Sequence, residues 1–267
     1  MLEQHITSRQ NERVKTAAKL RSGRQRAKQG RFLIDGARQI LRAVEAKIEI
    51  AEAFVCREFV NSPEQESAAK SLRDSAQSFS TISPEVYAKV AFGDVDDGVV
   101  AVAHTPERQL SQLTLPPRPL VAVLEGLEKP GNVGAILRTA DAAGFDAVFV
   151  ADGQTDLFNP NTIRASLGTV FAASVYATTI AEALEQFRAL QLPIIAARPE
   201  AQRIYTEVDF CEGAAIVLGS EAAGLSPAWD GANVQAVRLP MHGIADSLNV
   251  AATAAVLFYE AVRQRSD

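Results

Sequence analysis

The sequence predicts an α/β protein in two parts: a small α/β domain over residues 1–105, a linker over 106–118 and a parallel-sheet domain over 119–267. Two observations carry this. Beyond residue 119, short apolar runs alternate with helical segments, the pattern of a parallel sheet covered on both faces. From Pro106 to Pro119 inclusive there are four prolines and no sustained periodicity, which marks a break in the chain's organisation. At 267 residues and 47% apolar, the chain is long enough to bury a substantial core.

The elements follow in order. In the first domain "NERVKTAAKLRS" and "DGARQILRAVEA" have helical spacing, "IAEAFVC" and "GVVAVAHT" read as strands, and "SPEVYAKVAFG" opens with a Ser-Pro helix start. In the second, "LVAVLEG", "DAVFVAD", "VFAASVY", "PIIAAR", "AAIVLGS" and "VQAVRLP" read as strands. No stretch is long and apolar enough to span a bilayer, and "MLEQHITSRQ" lacks the apolar region of a signal peptide, so a cytoplasmic location is expected. Cys56 and Cys211 lie far apart with no C-x-x-C between them. Both are expected to be buried small hydrophobes, and no metal site is suggested.

Charge is uneven. The net charge is −5, yet residues 7–42 contain eleven Lys or Arg against Glu12 and Asp35, a balance of +9 that leaves −14 for the rest. A basic segment on an acidic protein suits a polyanion, because each neutralised phosphate releases counterions. A solvated amphipathic helix is the plainer explanation for such a run, but the single sign of the charge favours nucleic acid. Arg9, Lys15, Arg21, Arg24, Arg26, Lys28 and Arg31 are the candidate nucleic-acid contacts. Only Phe32 interrupts the segment as an aromatic, so base stacking is not indicated there.

In an open parallel sheet ligands collect outside the carboxyl ends of the strands. Three loops stand out there. After "LVAVLEG", the stretch "EKPGNVGAILRTADAAGFDAVFV" has neither glycine spacing of a nucleotide-phosphate loop. It reads instead as a helix capped by Asn132, with Val133, Ile136, Leu137 and Ala140 as its core stripe and Gly144 at its end. Arg138 lies about 140° round from Val133 and points away from that stripe. The second loop, "IVLGSEAAGLS", ends a strand at Gly219 and delivers Ser220 and Glu221. The third, "RLPMHGIADSLNVAATAAVLFYEAV", leads from Pro240 to a long helix opened by Asp246 or Ser247.

Together these loops resemble the three motifs of the SpoU (TrmH-type) branch of the SPOUT RNA methyltransferases. "NVGAILRTA" (132–140), "LGSEAAGL" (218–225) and "LPMHGIADSLNV" (239–250) stand in the family's order. "SRQNERVK" and "RFLIDGARQIL" are more loosely similar to the ribosomal-protein-like substrate-binding domain that many ribosomal-RNA members carry. Asp35 stands where the family usually has Glu, Leu239 where it has Ile, and "VAATAA" replaces a Val-Ser-Val-Ala-like run. The resemblance implies a SPOUT domain with a C-terminal trefoil knot, an exception to the avoidance of knots. Ala251, Ala252, Ala254 and Ala255 are compatible with its close packing. It also implies transfer of a methyl group from S-adenosylmethionine to a ribose 2′-hydroxyl, in 23S ribosomal RNA given the extra domain. Transfer RNA, or an inactive RNA-binding role, remain open. A nicotinamide enzyme lacks its glycine pattern.

By the same resemblance, backbone groups around Leu218, Gly219, Ser220, Leu239, Met241 and Leu248 hold the cofactor. The resemblance gives Arg138 the removal of the 2′-hydroxyl proton, but a guanidinium stays protonated, so Arg138 is expected instead to fork onto a phosphate and the 2′-oxygen, with Asn132, Glu221, Ser247 and Asn249 orienting it and the ribose. His242 is a weaker candidate base, since no motif of the family requires it. A homodimer through the C-terminal domain is implied, with Leu257, Phe258 and Tyr259 as an apolar contact and Arg138 serving the partner chain's cofactor.

Overall fold

The protein is described here by a computed structural model that covers residues 4–93, 97–153, 155–172, 174–231 and 233–266. Its first elements are β1 (Gln4–Ile6), α1 (Glu12–Lys19), α2 (Gly23–Gln29), β2 (Arg31–Asp35), α3 (Ala37–Glu45), β3 (Ile50–Val55), α4 (Pro63–Ser75), β4 (Ser78–Ile82), α5 (Pro84–Val90) and β5 (Val99–His104). Then come β6 (Leu120–Glu125), α6 (Pro130–Ala142), β7 (Ala147–Ala151), α7 (Pro160–Ala165), β8 (Val175–Thr178) and α8 (Ile180–Ala189). The chain finishes with β9 (Ile194–Ala197), β10 (Arg203–Ile204), β11 (Ala214–Leu218), β12 (Val234–Arg238) and α9 (Val250–Gln264). Contacts divide it into two units, Met1–Glu107 with Asp156–Ala172, and Arg108–Thr155 with Ala173–Asp267. The sequence suggests a single break at 106–118. Instead, Asp156–Ala172 groups with the N-terminal residues, and Leu110, Leu113 and Leu115 of the expected linker pack on the core of the second unit.

The first unit is a mixed sheet in the order β1-β4-β3-β5-β2, with β5 antiparallel to both β3 and β2. Two of its helices, α1 and α4, begin where side chains satisfy the free amides of a helix start. Asn11 accepts from Arg13 N, and Ser62 and Gln65 form a reciprocal capping box before Pro63. Val14, Leu20, Leu33, Phe54, Val86 and Tyr87 form one core cluster. A second apolar contact stacks Phe32 on Phe158 and Phe171, at 4.5 and 6.0 Å between ring centroids. This contact overturns one expected strand. In "VFAASVY", Thr169–Phe171 is a 3-10 turn, Ala173 lies outside the described residues and the strand begins only at Val175. Burying Phe171 against Phe32 outweighs its β propensity.

The second unit is an all-parallel sheet in the order β10-β12-β9-β11-β6-β7-β8. Every residue of β6, β7 and β11 is buried, as strands covered on both faces must be. The chain leaves β6 toward β7 and leaves β11 in the opposite direction toward β12, so a crevice opens beyond their adjacent carboxyl ends. On α6, Val133, Ile136, Leu137 and Ala140 are buried as the stripe predicts, and Gly144 takes the left-handed conformation (φ +70°) just past its end. Two expected caps differ. Pro130, which needs no amide partner in a first turn, starts α6 after Lys129, so Asn132 lies inside the helix. Asn249, not Asp246 or Ser247, caps α9.

Cys56 is buried, with burial pushing its thiol up to about 11, whereas Cys211 is exposed, contrary to expectation. No helix among the described residues is long and apolar enough to cross a membrane.

Candidate active site

The loops that follow β6, β11 and β12 meet around Glu221. Asn132 Nδ2 donates to Glu221 Oε1 at 3.0 Å and Asn249 Nδ2 donates to the same oxygen at 2.7 Å. Lys129 Nζ donates to Oε2 and forms an ion pair there. Asn249 works at both ends, because its Oδ1 accepts from Ala251 N at 2.9 Å to cap α9 while its amide holds the glutamate. The Lys129 ammonium foremost, aided by the Asn132 amide, holds the Glu221 carboxyl below the usual carboxylate range. Glu221 is therefore ionised at neutral pH and works as an acceptor. Lys129, which completes the cluster, was missed in the sequence because a lysine before a Pro-started helix has no periodic signature.

The loop after β11 folds back on itself. Gly224 N donates to Ser220 O at 3.0 Å, and a Cβ on Gly219 would sit 2.4 Å from the Gly224 backbone, so only glycine allows that approach. Below it, Glu125, 8% exposed at the end of β6, accepts from Ser226 N (3.1 Å to Oε2) and Trp229 Nε1 (2.9 Å). A carboxylate so buried must be bonded, and here it fixes the far end of the loop that presents Glu221. Sequence reasoning missed this residue too, as an acid closing an apolar strand gives no sign of its distant partners.

Two cavities flank the cluster. One, about 260 Å³, opens between Lys129 and Asn132 on one side and Ser220 and Glu221 on the other. The other, about 380 Å³, is lined by Leu218, Gly219, Ser220, Leu239, Met241 and Leu248, which are all six residues expected around the cofactor, and by Ser247. Its size suits a small-molecule ligand. Asn132, Glu221 and Asn249 are thus brought together, and Ser247 lies on the neighbouring wall. Arg138 is not among them. It is exposed on α6, lines neither cavity and has no hydrogen bond or ion pair among the described residues. His242 is exposed on the loop after β12.

In the first unit the basic residues divide. Arg26 departs from expectation: 4% exposed, it donates to Asp156 Oδ2 at 2.5 Å and to Leu20 O at 2.8 Å, holding the polypeptide together rather than facing solvent. Lys15 pairs with Glu12, and Arg21 donates to Ala91 O. Arg9, Arg24, Lys28 and Arg31 have no side-chain bond among the described residues. Arg24 and Lys28 are exposed on α2.

Known proteins resemble this chain in both sequence and structure. The SpoU rRNA Methylase family profile matches residues 119–259, and an MRM3-like substrate binding domain matches residues 11–101. The chain is 29% identical over 254 residues to the 23S rRNA (guanosine(2553)-2′-O)-methyltransferase RlmP of Bacillus subtilis, covering 95% of this chain and 97% of that one. It superposes on a crystal structure of an RNA 2′-O ribose methyltransferase with a TM-score of 0.85 and 42% identity, over 98% of this chain and all (100%) of that one. It also superposes on the SpoU methyltransferase AviRb of Streptomyces viridochromogenes, solved with the cofactor AdoMet, with a TM-score of 0.86 and 27% identity over 97% and 99% of the two chains. With its motif loops folded together and more than half its length matched, the chain belongs to the SpoU rRNA methylase family.

Proposed function

We propose that this chain is an S-adenosylmethionine-dependent methyltransferase that acts on a ribose 2′-hydroxyl of RNA, within 23S ribosomal RNA. The observation that carries the reading is the convergence of Asn132, Glu221 and Asn249 beside a cleft lined by all six residues expected around the cofactor. The 23S rRNA methyltransferase RlmP matches nearly the whole chain, N-terminal domain included, which favours ribosomal over transfer RNA. The cleft fits the cofactor on its own terms. Its volume is in the range for a small-molecule ligand, and its lining includes Gly219 and Gly224, which carry no side chain over the loop's backbone. When bound there, S-adenosylmethionine supplies an electrophilic methyl group on a sulfonium. The reading includes the knotted C-terminal segment, a cytoplasmic location and two parts joined near 106–118.

In this mechanism Glu221 is a positioning residue. Its carboxylate, already held by two amides and an ammonium, is a weak proton acceptor, and it fixes Asn132 and Asn249 against the ribose. Ser247 adds a hydroxyl at the cleft wall. Arg138 forks onto a phosphate and the 2′-oxygen and stabilises the negative charge that develops as the O–H proton leaves to a phosphate oxygen or water. A guanidinium does not itself take that proton.

Because Arg138 lines neither cavity of its own chain, the reading includes a homodimer through the C-terminal domain in which each protomer's Arg138 serves the other's site. Leu257 and Phe258, expected at that contact, are buried within their own unit. Tyr259, 51% exposed, is the part of that trio left to meet a partner. Arg9, Arg24, Lys28 and Arg31 of the first unit contact RNA phosphates.

Incubating the protein with radiolabelled S-adenosylmethionine and a protein-free 23S ribosomal RNA transcript, then mapping ribose methylation, tests the reading. Label in one 2′-O-methylated nucleotide is expected. Tight RNA binding with no cofactor binding and no label would leave an RNA-binding protein of the same fold.

A further inference from the structure

The cofactor cleft contains a charge that the cofactor reading leaves unexplained. Two arginines line it, Arg198 and Arg238. Arg198 is spent, because its guanidinium donates to Asp230 Oδ1 at 2.8 Å and to Ser226 O at 3.2 Å and lies 3.7 Å from Glu200. Arg238, at the carboxyl end of β12 and half-buried, has no hydrogen bond or ion pair among the described residues. A partly desolvated guanidinium without an anion is unfavourable, and beside a sulfonium it would also repel its ligand. Both costs disappear if the ligand brings an anion. S-adenosylmethionine has one anionic group, the α-carboxylate of its methionine end. A carboxylate is also the group whose geometry matches the two-pronged guanidinium.

We propose that Arg238 binds the α-carboxylate of the cofactor and so makes the cleft selective for adenosyl ligands that retain an intact amino-acid end. The inference rests on the cofactor reading above. The position of Arg238 supports it: it ends β12 between Val237 and Leu239, and these residues and Met241 all line the same cleft. Selectivity of this kind separates the cofactor from 5′-methylthioadenosine, which has the same adenosine and sulfur but no amino-acid end.

Isothermal titration calorimetry with S-adenosylmethionine, decarboxylated S-adenosylmethionine and 5′-methylthioadenosine tests this without any RNA. Wild type should bind S-adenosylmethionine roughly tenfold to a hundredfold more tightly than its decarboxylated analogue, the range for a hydrogen-bonded charge. Arg238→Gln should abolish that preference by weakening S-adenosylmethionine alone, with decarboxylated S-adenosylmethionine and 5′-methylthioadenosine bound as well as before. Arg238→Lys, which keeps the charge and lowers the risk of misfolding, should recover part of the preference. Equal weakening of all three ligands by Arg238→Gln would make Arg238 a wall of the cleft and overturn the proposal, as would an undiminished preference. Wild type that binds none of the three would overturn the cofactor reading itself, and this inference with it.

Discussion

Two carboxylates, one in each unit, titrate in opposite directions. Asp35, 7% exposed at the end of β2, is pushed up to about 6 because burial penalises its charge more than the Phe92 amide at 2.6 Å and the nearby Arg164 and Arg21 favour it, with Asp97 adding repulsion. Glu221, at the surface, is held below the ordinary range because Lys129 and two amides bond its ionised form. The difference shows that what matters is how many donors reach the anion and how wet it stays. A buried acid with few donors is a stability element whose contribution varies with pH. An exposed acid saturated with donors is a fixed part of a site.

Exchanging each acid for its amide should separate the two roles. Glu221→Gln puts an N–H where an acceptor is needed and should cut methyl transfer by roughly a hundredfold, about 2.7 kcal/mol in the barrier. Melting temperature should hardly move, since the site is exposed. A variant that melts early but stays active would erase the contrast. Loss of wild-type activity through protonation of Glu221 should have its midpoint below pH 4.5, the ordinary value from which its carboxyl is lowered, and a pH–rate profile with an acid midpoint above 4.5 assigned to Glu221 would contradict this.

Asp35→Asn should do the reverse. A folded-state value near 6 against an ordinary 3.8 means the protonated acid favours folding. That contribution is complete below about 3.8 and is lost as pH rises through about 6. The Asn variant should therefore equal wild type near pH 4 and exceed it by up to about 3 kcal/mol at pH 7.5, with activity retained. Chemical denaturation at the two pH values checks this, and a gap that does not grow with pH would refute the burial argument.

The same contrast divides the basic segment. Arg26→Ala removes a buried guanidinium with three bonds and should cost about 2 kcal/mol, less than a fully buried pair because Asp156 can rehydrate. Changing Arg24 and Lys28 together to Ala should leave stability within about 0.5 kcal/mol. In filter binding to the 23S transcript it should lower the salt slope by about 2. An unchanged slope would remove α2 from the RNA surface.

Much of the second unit was readable in advance. The apolar runs of β6, β7, β9, β11 and β12 and the stripe of α6 follow from periodicity, which needs only neighbours a few residues away. β2 and β4, five residues each, went unread because so short a run gives little periodicity, and α4, though 13 residues long, buries only Ala68, Ala69 and Leu72, too few to mark an apolar stripe. The site was legible by another route. Asn132 and Glu221 stand 89 residues apart and Asn249 a further 28, distances over which no local pattern speaks, and only the resemblance of three motifs joined them.

Charge marks where local reading stops. The +9 balance of residues 7–42 is a property of composition, but which of those charges face solvent is not. Arg13 meets Glu52 at 2.7 Å across 39 residues and Arg26 meets Asp156 across 130. Composition and spacing were enough to establish an α/β chain with a parallel sheet, a basic end and three loops at the carboxyl ends of its strands, since each follows from near neighbours. Packing alone settled that Arg26 is an internal fastening, that Lys129 completes the Glu221 cluster, that Asp156–Ala172 joins the first unit and that Arg138 lines neither of the two cavities beside Glu221. Hydrogen bonds and ion pairs act over a few ångströms between residues that the fold, not the chain order, makes neighbours.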